Sequence, residues 1–197
     1  IGRQLLGRQP QKATIYLHGS FAATGEGHGT DRAIVAGLLG MKPDDMRIPD
    51  SFRIAKEEGL DFTIQKKDIR GTHPNTVQML LEADGADSLD IQACSIGGGR
   101  IVVSKLDGIE VNFNAESNTL IVHNQDQPGH VAQVANILSQ KNINIATMQL
   151  FRDKRGGYAV MVIETDQIIP DSAISWLENL DGIIKVTFLN VSGAEDE

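Results

Sequence analysis

The sequence has very little cysteine: Cys94 is the only one in 197 residues. One thiol excludes a disulfide framework, a Cys-x-x-Cys redox pair, and a cysteine-held iron–sulfur cluster or structural zinc within this chain. Long apolar runs are also absent, since none approaches the roughly 20 residues that cross a bilayer. The first ten residues lack the pattern of a signal peptide. We therefore expect a cytoplasmic protein with no membrane partner.

Basic residues are scarce as well. The chain has 18 Lys and Arg against 26 Asp and Glu, for a formal net charge of −8. Up to Ala115 there are 13 basic and 15 acidic residues, and from Glu116 onward 5 and 11. Binding to a phosphate backbone needs a basic face, so we expect no nucleic-acid partner.

The first part of the chain combines strand and helix patterns. Residues 13–18 alternate like a strand, residues 19–31 are glycine-rich and favour a loop, and apolar residues from Ile34 to Leu39 recur at helical spacing. Thr30 or Asp31 is expected to cap this helix, and Gly40 to end it. The remaining elements are a predicted helix and five predicted strands at residues 50–58, 60–64, 77–81, 88–94, 100–105 and 109–113.

A short polar stretch at residues 112–118 looks like a domain junction. Beyond it, strand and helix periods alternate in the order βαββαβ, at residues 120–123, 131–138, 143–151, 158–163, 172–180 and 183–189. Two interleaved βαβ halves give a four-stranded antiparallel sheet with both helices on one face. We therefore predict an α+β protein with a mixed, sheet-rich domain at residues 1–114 and a ferredoxin-like domain at residues 115–197.

One candidate binding site lies in the loop from Asn124 to Val131, between the first strand and the first helix of the second domain. The chain turns at Pro128-Gly129, so free backbone N–H groups at the helix start can receive a carboxylate. Asn124 or Asp126 could receive an ammonium group, which would make the loop an amino-acid clamp. The alternative is that Asp126 only caps the helix and Pro128-Gly129 only shapes the turn.

A second candidate is Gly27-His28-Gly29-Thr30-Asp31. Flanking glycines let a substrate approach the backbone, and a histidine beside a helix N-terminus tends to be neutral, as a general base must be. The alternative is a histidine that only satisfies a loop carbonyl. His73 to Thr76 is more typical of a turn, and Ile96 to Arg100 of a strand connection with a bulge. His18 and His123 occupy strand positions and are expected to be packed or hydrogen-bonded.

The loop at Asn124-Gln125-Asp126-Gln127-Pro128-Gly129 resembles the ACT regulatory domain, whose pattern is a strand, Asp-x-Pro-Gly and a helix. The resemblance covers residues 119–191. It implies binding of an amino acid and side-by-side dimers, because one copy supplies only half of the pocket walls. The candidate effector-binding residues are Asn124, Asp126, Gly129, His130 and Val131.

Five segments in order, ahead of the ACT-like part, resemble the β subunit of bacterial iron–sulfur-dependent L-serine dehydratase. They are Gly19-Ser20-Phe21-Ala22, Gly27-His28-Gly29-Thr30-Asp31, Arg47-Ile48-Pro49-Asp50, His73-Pro74-Asn75-Thr76 and Ser95-Ile96-Gly97-Gly98-Gly99-Arg100. The family's Ser-Ser-Ser-His-Thr segment would precede Ile1, so the N-terminus is expected to be incomplete.

The resemblance implies a two-subunit enzyme that converts L-serine to pyruvate and ammonia. The α subunit would carry the cysteines of a [4Fe–4S] cluster, and this chain would bind no metal by itself. His28 would be catalytic, with Gly27, Gly29, Thr30 and Asp31 next to the substrate. L-Serine is the expected effector of the ACT domain.

The first domain also resembles the allosteric-substrate-binding-like domain of some 3-phosphoglycerate dehydrogenases. This leaves two alternatives, a regulatory effector-binding module without catalytic residues and a stand-alone dimeric amino-acid sensor. A regulatory copy has no need of His28, and a stand-alone sensor would work without an iron-bearing partner.

Overall fold

The computed structural model describes residues 1–84 and 88–191, so the final residues of the second predicted domain lie outside the described part. The chain divides into two compact units, Ile1–Asp107 and a second from Gly108 onward. The boundary expected at residue 114 stays a prediction. Among the described residues, no helix has both the length and the apolar character needed to span a membrane.

The first unit contains helices on a mixed sheet. Its elements are α1 (Gly2–Leu6), β1 (Lys12–Leu17), α2 (Gly19–Thr24), α3 (Thr30–Leu38), a 3-10 turn (Ile48–Asp50), α4 (Ser51–Glu57), β2 (Asp61–Lys66), β3 (Thr76–Glu82), β4 (Leu89–Gly97) and β5 (Arg100–Leu106). These strands lie in the order β2-β1-β3-β4-β5. β1 runs parallel to β2, and the other neighbours are antiparallel. The predicted mixed sheet is therefore confirmed.

The core of this unit follows from the alternation in β1, where Ala13, Ile15 and Leu17 are buried. Val35 and Leu38 of α3 are buried, at the spacing of one helical face. α3 ends before Gly40, whose positive φ of 85° is the left-handed conformation that stops helices. The predicted stop is confirmed.

Two local predictions for this unit are wrong. Residues 19–24 form α2 and are not a loop, because the glycines are concentrated after Thr24 and the segment Ser20 to Thr24 contains ordinary helix-compatible residues. α3 is capped by neither Thr30 nor Asp31. Its N-cap is Gly29, at a φ of 70°, and Asp31 lies inside the first turn of the helix, where its carboxylate accepts the N–H of the next residue, Arg32.

The second unit contains β6 (Ile109–Phe113), β7 (Asn118–Gln125), α5 (His130–Gln140), β8 (Ile145–Arg152), β9 (Tyr158–Thr165), α6 (Asp171–Glu178) and β10 (Ile183–Leu189). From β7 onward the order is βαββαβ, and these strands form an antiparallel sheet in the order β10-β7-β9-β8. This confirms the ferredoxin-like arrangement.

Both helices of the second unit share one core with the sheet. Leu120 and Val122 of β7 lie in it with Val134 and Leu138 of α5 and Leu177 of α6. Residues of β7 on the opposite side, such as Ile121 and His123, are also buried. β7 is thus a central strand that is buried on both faces, and its C-terminal end positions the Asn124 loop.

We expect Gly19→Ala to destabilise the chain far more than Gly98→Ala. Both glycines have positive φ, 54° and 64°, which costs a non-glycine residue about 1–2 kcal/mol. A Cβ at Gly19 would also collide with the Pro74 carbonyl oxygen, whereas one at Gly98 would meet nothing. Overpacking adds about 1–3 kcal/mol. If urea denaturation gives the same loss of unfolding free energy for both variants, the close contact of Gly19 with Pro74 is not needed for stability.

Candidate functional site

Three of the candidate segments meet at one edge of the first sheet, where β1 ends and β3 begins. Gly19 lies so close to Pro74 that an added Cβ would be 2.9 Å from the Pro74 Cα. The Ser20 N–H donates to the Pro74 carbonyl at 2.8 Å, and the His18 N–H donates to the Thr76 carbonyl at 3.0 Å. Segments more than fifty positions apart in the sequence are thereby joined through their backbones.

The same edge continues to the turn between β4 and β5. The Ser95 N–H donates to the Asn75 carbonyl at 3.0 Å. Gly97, Gly98 and Gly99 all have positive φ, between 64° and 88°, and the pairing of β4 with β5 shifts register between Ser95 and Gly97. The predicted bulge in this connection is confirmed.

The histidines at this edge hold backbone in place. His18 Nδ1 accepts a hydrogen bond from the Ile69 N–H at 3.0 Å, and His73 Nδ1 accepts one from the Asn75 N–H at 3.1 Å. The prediction that His18 is hydrogen-bonded is confirmed, although it lies just after β1. These two rings order the loops on which the other residues lie.

The Arg47-Ile48-Pro49-Asp50 segment is attached to α3. The Arg32 guanidinium donates to the Pro49 carbonyl at 2.9 Å. In return, the buried hydroxyl of Ser51 donates to the Arg32 carbonyl at 3.0 Å. Because Arg32 follows Asp31 directly, this segment lies beside the turn that contains His28.

His28 lies in the tight turn between α2 and α3. The turn is closed by backbone bonds from the His28 N–H to the Thr24 carbonyl and from the Thr30 N–H to the Gly25 carbonyl, at 3.2 and 2.9 Å. The imidazole is exposed, and no hydrogen bond to it is found in residues 1–84 and 88–191. Among these residues, no hydrogen bond joins this ring to the Gly19 and Pro74 segments either. The ring is therefore available to a ligand.

Asp31 differs from the other residues of this segment in its contacts. One of its carboxylate oxygens accepts the Arg32 N–H at 2.8 Å. Asp31 also lines a cleft of about 280 Å³ in the first unit, whereas His28, Gly27, Gly29 and Thr30 do not. The five predicted residues thus share a turn, but they do not share one cavity.

In the second unit, two buried polar atoms of the Asn124 loop have no partner. They are Asn124 Oδ1 and His130 Nδ1, and within the described chain they are the only buried side-chain N or O atoms in this condition. Asn124 is 2% and His130 5% exposed. Leaving such a group unpaired costs about 1–3 kcal/mol, so both positions favour a ligand that supplies the missing hydrogen bond.

The position of His130 is fixed by Gly182, the residue before β10. A Cβ on Gly182 would be 2.8 Å from His130 Nε2. The Gly182 carbonyl accepts the Gln125 N–H at 2.9 Å. The sequence pattern did not identify Gly182 as part of the site. Its only signal was the turn-forming pair Asp181-Gly182, which says nothing about a contact 52 positions away.

Asp126 is engaged with the turn between β8 and β9. Its Oδ2 accepts the Gly156 N–H and a bond from Arg152 Nη1, both at 2.9 Å. The Gly156 N–H and then the Arg152 guanidinium lower the pKa of this carboxyl below its usual value of 3.8. The alternative that Asp126 caps α5 is wrong. Arg152 and Gly156 were missed in the sequence because a strand separates them from the loop.

The start of α5 offers backbone donors. Gly129 is the N-cap, at a φ of 101°, and no side chain caps the helix. The first-turn N–H groups therefore lack the intrahelical partners that later residues have. Val131 in this turn is 41% exposed. A carboxylate could approach these donors at the positive end of the helix.

His123 has a structural role. It is 2% exposed, and its Nδ1 lies 2.5 Å from the Tyr158 hydroxyl. Burial, followed by the charge of Lys185, lowers the pKa of this imidazole to about 4. The prediction of a hydrogen-bonded histidine is confirmed. The His123 ring is uncharged near neutral pH, and its contact with Tyr158 links β7 to β9.

Similarity to known proteins extends along most of the chain. A model described as serine dehydratase beta chain matches residues 3–58. The probable L-serine dehydratase beta chain of Bacillus subtilis (strain 168) is 37% identical, over 95% of this chain and 84% of the relative. The chain belongs to the serine dehydratase beta chain family. Another member, the L-serine dehydratase beta chain of Peptoniphilus asaccharolyticus, is 29% identical over 97% of this chain and 86% of its own length.

A second model, the ACT domain, matches residues 118–182, which include the whole Asn124 loop. The D-3-phosphoglycerate dehydrogenase of Bacillus subtilis (strain 168) is 26% identical over 81% of this chain but only 30% of its own length. This chain thus shares a region with part of a larger enzyme, while it matches serine dehydratase beta chains over most of their length.

In the described part of the chain, no group of three or more His, Cys, Asp or Glu side chains is arranged to hold a metal ion. Cys94 is buried. A cluster held by thiolates does not fit the residues of this chain alone.

We expect Asp126→Asn to lose stability in a pH-dependent way. The folded-state pKa is lowered, so the charged carboxylate stabilises the fold above the unfolded-state pKa, and this advantage disappears as the pH falls through the lowered value. The wild type should exceed the variant above about pH 4 and match it in stronger acid. Denaturation followed by the fluorescence of Trp176, the only tryptophan, reports on this unit.

Asp181→Asn is the matched control, because Asp181 is exposed. The stability of this variant should equal that of the wild type both above about pH 4 and in stronger acid. A constant difference between wild type and Asp126→Asn across the pH range would contradict the role of the charge.

Proposed function

We propose that this chain is the β subunit of an L-serine dehydratase, an ammonia-lyase that works with an α subunit and releases pyruvate and ammonia. The observation that carries the proposal is the match to two beta chains along nearly the whole of this chain and most of theirs. The D-3-phosphoglycerate dehydrogenases match only about a third of their length or less, which favours the dehydratase over the purely regulatory alternative.

In this proposal both subunits contribute groups to the active site. A [4Fe–4S] cluster on the α subunit would supply a Lewis-acidic iron for the serine hydroxyl. His28 of this chain would accept or hold a proton, because its ring is exposed and bonded to no described residue. Gly27, Gly29, Thr30 and Asp31 would shape the approach to it. The exposed turn is where an α subunit could close over the substrate.

The ACT domain is proposed to bind an amino acid as effector. Its support is the pair of unpartnered buried atoms, Asn124 Oδ1 and His130 Nδ1. A ligand ammonium group could donate to Asn124, while its carboxylate accepts from the first-turn N–H groups after Gly129. Val131 would contact the ligand from the same turn. L-Serine is the ligand to test first, since it is the substrate that the relatives' names give.

We also propose that two copies associate through their ACT domains. β8 and β10 are the outer strands of the second sheet. An outer strand has unpaired backbone groups that a second copy could complete. The exposed Leu150 of β8, 47% accessible, would be covered by such an association.

We expect this chain and its α subunit, prepared together without oxygen, to form pyruvate from L-serine, and His28→Ala to lower kcat by about 100-fold or more. Loss of a general acid or base has an effect of this size. This chain alone should form no pyruvate and show no iron–sulfur absorbance.

The matched control is Lys56→Ala, an exposed change on α4, which should leave kcat within a factor of two or so of wild type. If His28→Ala behaves like the control, the ring is not catalytic and the regulatory alternative is favoured. If this chain alone is active, the assignment of the cluster to a partner is wrong.

We expect saturating L-serine to stabilise the full chain, since a ligand at about 100 times its Kd that binds only the folded state adds about 2.7 kcal/mol. Asn124→Ala and Gly129→Val should reduce this ligand-induced shift, the first by removing the unpartnered acceptor and the second by blocking approach to the helix start. The measurement is the melting temperature of each variant with and without ligand.

Asn136→Ala, an amide on the exposed side of α5, is the matched control and should keep the full shift. Comparing shifts within each variant removes differences in intrinsic stability. A screen in which no common amino acid raises the melting temperature would contradict the effector proposal and leave this domain with the dimer role.

A further inference from the structure

A cleft of about 280 Å³ lies in the first unit. It is bounded by α2, the start of α3, α4 and the end of β2. The larger apolar side chains that line it are Leu17, Phe21, Phe52, Phe62 and Ile64. The rings of Phe52 and Phe62 are tilted against each other with centroids 5.0 Å apart. The volume lies at the lower end of small-molecule sites and suits a compact metabolite.

Charged residues of both signs complete the lining of the cleft. Glu26 and Asp31 follow α2, and Lys66 is the last residue of β2. In residues 1–84 and 88–191, the Glu26 carboxylate and the Lys66 ammonium form no ion pair or hydrogen bond. The neighbouring Lys67 differs, since it bonds to Gln78 at 3.1 Å and lies 4.4 Å from the centre of the Tyr16 ring.

We propose that this cleft binds a small apolar α-amino acid, for which leucine is the model. Its ammonium group would pair with Glu26 and Asp31, its carboxylate with Lys66, and its hydrocarbon side chain would contact the phenylalanine rings. Opposite charges on the rim and an apolar floor match the two ends and the side chain of such a ligand.

The ligand differs from the amino acid proposed for the ACT domain. A serine hydroxyl placed against Phe52, Phe62 and Ile64 would lose its hydrogen bonds to water without replacement, which is unfavourable. The inference therefore goes beyond the proposed function and does not depend on it. An apolar side chain of another protein could also enter the cleft, but it would leave the charged groups of both signs without a partner.

The test is calorimetric titration of the full chain with L-leucine, L-phenylalanine and L-serine. We expect the two apolar amino acids to bind and L-serine not to compete with them. Two leucine analogues separate the charges: 3-methylbutylamine lacks the carboxylate, and 4-methylpentanoate lacks the ammonium group. Each should bind at least about 10-fold more weakly than leucine, since each loses one charge-assisted contact.

Glu26→Gln and Lys66→Gln remove one rim charge each. Both side chains are exposed, so folding should be preserved, and each variant should bind leucine about 10-fold more weakly. Lys56→Gln and Glu178→Gln are the matched controls on exposed helix positions and should bind as the wild type does. Glu26→Gln should not reduce the rise in melting temperature that L-serine causes, because that rise is assigned to the ACT domain and not to this cleft.

Three results would overturn the proposal. One is that neither apolar amino acid binds. Another is that both rim variants keep the wild-type Kd for leucine. A third is that the amine and the acid bind as tightly as leucine, which would identify the cleft as a purely apolar surface for another protein's side chain.

Discussion

The close approach of Gly19 to the Pro74 carbonyl is the constraint on which the first unit depends. It allows the chain to leave β1, turn at once into α2 and still accept the loop before β3 against its backbone. With the loops held there, Asn75 can also receive the Ser95 N–H from the end of β4. One missing side chain thus permits three separate segments of the sequence to form one edge, on which the histidine turn after α2 depends for its position.

The second unit repeats this device for a different purpose. Gly182 has no side chain, and the His130 ring occupies that space, so a polar ring is buried beneath the helix start without a hydrogen bond at Nδ1. On the other side of the loop, Asp126 serves the turn after β8. Because Asp126 is bonded to Arg152 and to the Gly156 N–H, it connects the Asn124 loop to the turn between β8 and β9.

Periodicity in the sequence was sufficient for the regular elements, because burial of one face imposes a spacing of two on β1 and of 3.6 on α3 and α5. It was misleading for α2, where glycines at both ends suggested a loop throughout. Candidate site residues could be named from the sequence where a motif is continuous, as in Asn124 to Val131. Partners such as Gly182 and Arg152 could not be found, since a single residue brought close only by the fold leaves no local pattern.

The place of β1 in the first sheet has a consequence for folding. β1 lies between β2 and β3, and its Lys12 pairs with both Asp61 and Glu82. By contrast, β3, β4 and β5 follow one another in the sequence and are also neighbours in the sheet. Contacts between distant residues form late because the intervening chain must first be closed into a loop. Although β1 precedes β2 and β3 in the chain, it is therefore expected to be inserted between them late, and until then the edges of β2 and β3 stay open to pairing with other chains.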